Sequence, residues 1–180
     1  MDQRTPDPLV MQGDAWEARV ASLWAQAESM EPGDLVAAAD ALADELPHDD
    51  GRAHFERACA RDTAGAEDEA ERYYRAALAT ADLDAYRRTR ACIQLASTLR
   101  ILGRLQESEQ LLVEELDRHL EPGSSRELHD EARATLALTY VAQGRAKEAA
   151  GLAISALVPH LSRYRRSMAR NAALLASRTW

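Results

Sequence analysis

Lysine is almost absent from this chain: Lys147 is the only one among 22 basic residues. We read that bias as GC-rich coding and draw no mechanism from it. Cysteine is scarce as well. Cys59 and Cys92 stand alone, each on a predicted helix, which excludes a disulfide framework and fits packed, idle thiols in a reducing compartment. Aromatic residues make up 5% of the chain, and glycine and proline are few. That composition excludes a sheet-rich protein and points to packed helices. No long apolar run exists: the longest uncharged stretch, Ala149 to Ser162, is about 14 residues, short of the roughly 18 that a spanning helix needs. Met1 to Pro8 carries neither the basic start nor the apolar stretch of a secretory signal. We therefore expect a cytoplasmic protein without a membrane span.

What is present is charge, unevenly placed. The 180 residues carry a net charge of -8, which argues against general affinity for nucleic acid because an acidic surface repels phosphate at long range. Leu161 to Trp180, however, holds five arginines and no acid, so residues 1–160 carry 17 basic against 30 acidic side chains. An acidic body ends in a basic segment.

Periodicity organises the rest. Residues 1–13 are polar and aperiodic and read as a flexible tail. Asp14 is placed to cap a helix, with Glu17 as its capping-box partner, and Trp16, Val20, Leu23, Trp24 and Ala27 form one apolar stripe. Glu31-Pro32-Gly33-Asp34 ends that helix and starts another, completing an N-terminal hairpin over 14–47. Three stretches then share a frame: Arg57-Ala58-x2-Arg61-x3-Gly65-x4-Ala70, Leu95-Ala96-x2-Leu99-x3-Gly103-x4-Ser108 and Leu136-Ala137-x2-Tyr140-x3-Gly144-x4-Ala149. Each describes two helices packed back to back around a turn glycine, where the backbone passes through a left-handed conformation. The predicted pairs cover 51–81, 85–120 and 125–158, and a capping helix covers 160–178, with Leu161, Tyr164, Met168, Ala172 and Leu175 on one face. The turn glycines lie 38 and then 41 residues apart. The excess over the usual repeat of about 34 is placed in extensions and loops over 82–88 and 121–128. The fold class is all-α: a solenoid of antiparallel helix pairs in one domain, 14–180.

The frame resembles the tetratricopeptide repeat, best in its second and third copies. The stretch Gln94 to Arg104, with Glu69-Ala70-x3-Tyr74-x2-Ala77-Leu78 upstream, is more narrowly similar to the bacterial tetratrico peptide repeat group 5 domain, over roughly residues 53–157. Arg57, Arg61 and Ser108 depart from the pattern. The resemblance implies a right-handed superhelix with a concave groove that binds a protein or peptide, and no enzymatic activity.

A groove also follows from helix geometry. If Leu95, Ala96 and Leu99 face a partner helix, then Arg90, Ile93, Gln94, Ser97 and Arg100 share another stripe. Matching positions are Arg52, Phe55, Cys59 and Asp62 in the preceding copy, and Glu131, Ala134, Leu138 and Val141 in the following one. Arg90 and Arg100 would fork onto a carboxylate, Gln94 and Ser97 would add neutral hydrogen bonds, and Leu138 and Val141 would take an apolar side chain. The competing reading pairs Asp62 with Arg100 and leaves the stripe solvated.

Enzyme templates are missing. There is no phosphate-cradling glycine loop, no H-E-x-x-H, no G-x-S-x-G and no paired C-x-x-C. His48, His54, His119, His129 and His160 have no metal-ligand spacing, and no cofactor is expected. Arg163, Arg166 and Arg170 recur at i, i+3 and i+7, which leaves a regulatory or nucleic-acid-associated role for the last helix as the alternative function, against the plainer role of a solubilising cap. Partner identity and oligomeric state are not written in these patterns.

Overall fold

The computed structural model describes residues 8–121 and 126–176, with side chains from Ala15 onward. The elements in order are α1 (Pro8–Gln26), a 3-10 turn (Ala27–Ser29), α2 (Pro32–Ala43), α3 (Gly51–Thr63), α4 (Glu67–Ala79), α5 (Ala85–Ile101), α6 (Leu105–Arg118), α7 (His129–Ala142), α8 (Ala146–Leu157), a second 3-10 turn (Val158–His160) and α9 (Arg165–Ala176). The described residues contain no strand, and no helix among them is long and apolar enough to cross a membrane.

Local chemistry sets the ends. Asp50 and Asp84 cap α3 and α5, their carboxylates accepting from the amides of Arg52 and Arg87 at 2.9 Å, which satisfies one otherwise orphaned donor in each first turn. Gly65, Gly103 and Gly144 sit at φ of 75°, 77° and 79°. In each case the next residue closes the turn: Ala66 N–H to Arg61 O at 2.9 Å, Arg104 N–H to Leu99 O and Arg145 N–H to Tyr140 O both at 2.8 Å. Three identical closures need glycine because a Cβ in this conformation crowds the following carbonyl.

Two boundaries differ from expectation. Helix α1 reaches back to Pro8, so Asp14 lies inside the helix rather than at its start; of the expected tail, residues 1–7 lie outside the described part and 8–13 are helical. At the other end α9 starts at Arg165, after Tyr164 at φ 64°. Tyr164 is therefore exposed, while Ala172, Met168 and Leu175 keep the inward stripe. The expected loop over 82–88 is half helix, and residues 122–125 of the other are outside the described part.

Packing joins each helix to the next along the chain, from α2 through α9. The first helices of the pairs also touch one another, α3 against α5 and α5 against α7, whereas α4, α6 and α8 make no comparable contact among themselves. That asymmetry puts α3, α5 and α7 in an inner layer. The largest core cluster joins Phe55, Tyr74, Leu95 and Leu99 across α3, α4 and α5; a second joins Leu112, Ala132 and Leu136 across α6 and α7. The N-terminal hairpin closes the other end with Leu35, Ala39 and Ala60, covered by Leu23 and Trp24.

The two arginines that break the repeat pattern in the first copy have a physical reason. Arg61 is buried, forks onto both Asp40 oxygens of α2 at 2.9 Å, and gives its Nε to Glu69 at 3.0 Å. Its neighbour is the hairpin rather than another repeat, so a charged clasp replaces an apolar contact. The Asp40 hydrogen bonds, against the cost of burial, hold the guanidinium charged.

Candidate interaction surface

The predicted stripe divides when it is placed in the fold. Phe55 and Cys59 are fully enclosed between α3, α4 and α5. They are therefore corrected from groove lining to core: the Arg90 guanidinium lies 5.0 Å from the Phe55 ring centre, and the Cys59 thiol meets Gln94 Oε1 at 3.5 Å and the Tyr74 hydroxyl at 3.7 Å. Burial pushes the Cys59 thiol up to about 12, and the Cys92 thiol likewise to about 12, so neither is a nucleophile near neutral pH.

Asp62 does not pair with Arg100. Its two oxygens accept from the Tyr74 hydroxyl at 3.1 Å and the Thr98 hydroxyl at 3.2 Å, and burial raises its carboxyl above the ordinary range. The solvated ion pair weighed against the groove is thus replaced by a bolt between α3, α4 and α5. Arg100 instead gives Nη2 to Ser97 Oγ at 3.3 Å, and its Nε is buried without a partner. Ile93, Gln94 and Ser97 are half-buried along α5, and Arg90 extends over the rings of Phe55 and Tyr86. Among the described residues neither Arg90 nor Arg100 reaches a carboxylate at ion-pair distance, whereas Arg57, Arg61, Arg75, Arg87, Arg104 and Arg145 all do. Leu138 and Val141 stand 54% and 58% exposed on α7, the first helix of the next pair.

One cluster was missed from sequence. Trp24 Nε1 donates to Glu56 Oε2 at 2.7 Å, and Arg87 joins α5 to Glu17 of α1 at 2.5 Å and lies 3.5 Å from Glu56. Glu56 is buried, which raises its carboxyl pKa despite the Trp24 and Arg87 contacts. A glutamate on a stripe of alanine and phenylalanine carried no signal, because its partners come from helices 30 or more residues away.

A second buried polar cluster pins α5, α6 and α7. Glu115 accepts from the Thr89 hydroxyl at 2.6 Å, lies 3.2 Å from His119 Nε2, and pairs with Arg118. His119 Nδ1 is 3.1 Å from His129 Nδ1. Among the described residues no group of three or more His, Cys, Asp or Glu is arranged around a metal position.

Burial, with Arg133 and His119 beside it, holds His129 below the ordinary imidazole value. The unfolded chain then takes up this proton first, at about pH 6.5. Its contribution is complete above that value and is lost as pH falls from there toward the lower folded value. Urea titrations at several pH values should show His129→Gln losing less stability than the parent over that window; an equal or steeper loss would contradict the assignment.

At the C-terminal end Arg163 precedes α9, so the expected basic stripe is not one helical face; Arg166 and Arg170 are exposed on α9. That helix docks on α8 at Gly151, where a Cβ would lie 2.7 Å from Ala172 O and 2.8 Å from Ala176 N. The close approach requires glycine, and α9 packs on α8 and on the 3-10 turn that follows it.

Stacked antiparallel helix pairs closed by left-handed glycines, with an inner layer of first helices, define a helical-repeat scaffold of the kind used for protein interaction. The family model for the tetratrico peptide repeat matches residues 51–175, and the chain belongs to that family. No curated protein and no solved structure gives a significant match. The family is typically a non-catalytic scaffold.

Proposed function

We propose that the chain is a protein-protein interaction scaffold that binds an acidic peptide or helix across the inner face of α5. The observation that carries this reading is the pair Arg90 and Arg100, half-buried on one helix and without a carboxylate partner among the described residues. The unpartnered Nε of Arg100 adds to it. Stacking on Phe55 and Tyr86 holds the Arg90 guanidinium in place, so less side-chain entropy is lost when a carboxylate arrives. Ser97 and Gln94 stand between the two arginines on the same helix. Each charge-assisted contact contributes about 1.5–3 kcal/mol, so two account for a large part of a micromolar affinity of about -8 kcal/mol.

Immobilised parent chain and an Arg90→Ala/Arg100→Ala variant, exposed to lysate of the native host, should differ at least tenfold in the partner that mass spectrometry identifies. Equal recovery on both would remove α5 as the binding element. Arg90→Lys/Arg100→Lys keeps the charge but not the fork and should recover only part of the capture.

A further inference from the structure

The three pairs can be laid over one another by distance from their turn glycine, and in the first two the same positions meet the next pair. In the first copy the row includes Phe55, Cys59, Asp62, Glu71 and Tyr74, and α5 covers it: Thr98 bonds Asp62, Gln94 meets Cys59, and Arg104 reaches Glu71 at 2.5 Å. In the second copy the row is Ile93, Ser97, Arg100, Glu109 and Leu112, and α7 packs against Ile93 and Leu112 while Ser97 and Arg100 stay half-buried beside it. There Arg145 reaches Glu109 at 2.7 Å, and Ser108 in the same face meets Thr139 at 2.9 Å. Each junction carries one such Glu to Arg clasp. In the third copy the equivalent row reads Ala134, Leu138, Val141, Ala150 and Ala153.

Among the described residues nothing covers this third row. It lines an open groove of about 440 Å³ between α7 and α8, while α9 packs on a different side of α8, around Gly151. Its chemistry also differs from the other two. Every polar member is gone: Asp62 and Arg100 correspond to Val141, Cys59 and Ser97 to Leu138, and the clasp glutamates to Ala150. A further repeat of the same kind would bring an arginine to the clasp position and find no acid there. The surface is therefore not shaped for in-register continuation of the stack.

It is shaped for itself. Leu138 and Val141 form a ridge on α7, and alanines of α7 and α8, among them Ala137, Ala149, Ala150 and Ala153, form a shallow floor beside it. A surface that carries both a ridge and a groove of matching chemistry meets the condition for a two-fold interface, in which the same patch serves both partners. Charge completes the match. Glu131, in the first turn of α7, and Lys147, in the first turn of α8 beside the far end of α7, are exposed and make no ion pair among the described residues. Laid antiparallel about Leu138, two α7 helices place Glu131 of each chain opposite the Lys147 end of its partner.

We propose that the open face of α7 and α8 binds a second copy of this chain, in a two-fold pair with antiparallel α7 helices. The proposal does not use Arg90 or Arg100, so its failure leaves the reading of α5 intact, and the converse holds.

Sedimentation equilibrium of the full chain, from about 1 to 200 μM to span ordinary dimer affinities, should give twice the 19.9 kDa chain mass. Leu138→Glu and Val141→Glu lie at exposed positions and should retain the parent's helical circular dichroism while raising the dimer dissociation constant at least tenfold. Glu131→Lys alone should weaken the pair by a few fold, and adding Lys147→Glu should restore it. A parent chain that stays monomeric across the range overturns the proposal, whether its groove is bare or taken by another protein's helix. So does a dimer indifferent to Leu138→Glu. Failure of the charge exchange to restore pairing overturns the antiparallel arrangement.

Discussion

Replacing Glu115 by alanine is expected to remove about 3–5 kcal/mol of folding stability, the range seen when one member of a buried charged network is deleted. The carboxylate is 1% exposed, and its partners come from three directions: Thr89 on α5, His119 just past the end of α6, and Arg118 from the last turn of α6. Arg118 can turn to solvent, since its side chain is largely open. Thr89 and His119 cannot, being buried themselves, and each unsatisfied donor costs about 1–3 kcal/mol. The loss of His119's acceptor also frees its ring from His129 and loosens the junction of α6 with α7. Glu114→Ala, one residue away and exposed, serves as control and should change stability by no more than about 0.5 kcal/mol. Chemical denaturation that finds a loss below about 1 kcal/mol for Glu115→Ala would mean that water replaces the carboxylate, and that the cluster is not a structural pin.

The second large effect is expected at Leu95. It lies in the middle of the stack, within the cluster that joins α3, α4 and α5, and truncation to alanine should cost about 2–5 kcal/mol through lost transfer energy and the cavity left behind. Neighbours cannot collapse into that space easily, because Phe55 and Tyr74 are fixed by Arg90 and by Asp62. Leu95→Met, which nearly conserves volume, should cost less than about 1.5 kcal/mol. Stability in stacked repeats is shared between neighbours. The Leu95→Ala loss should therefore appear as one shifted transition rather than as a separate early melting of the second pair. Two resolved transitions would show that the pairs are not coupled through this residue.

The fates of Leu95 and Phe55 show why the two were not equally legible. Leu95 sits on the most regular apolar stripe of α5, which repeats every 3.6 residues in a way sequence alone reveals, although the core it joins is with α3 and α4 of the preceding pair. Phe55 lies on a second stripe of the same kind of helix. Whether a second stripe is covered depends on where the next pair is placed, and the spacing of residues within one helix holds no information about that. The same reason explains Asp62: its acceptor capacity was visible, but the hydroxyls of Tyr74 and Thr98 that fill it come from two other helices.

By itself the sequence determined the helices, their pairing and the three turns, because apolar periodicity and the left-handed glycine are properties of a few consecutive residues. It also carried the family. Only the tertiary structure decided which stripe became core, which arginines were left without acids, and which end of the stack stayed open. Those outcomes depend on how one helix pair is seated against the next, a matter of side-chain volumes and crossing geometry summed over residues far apart in the chain.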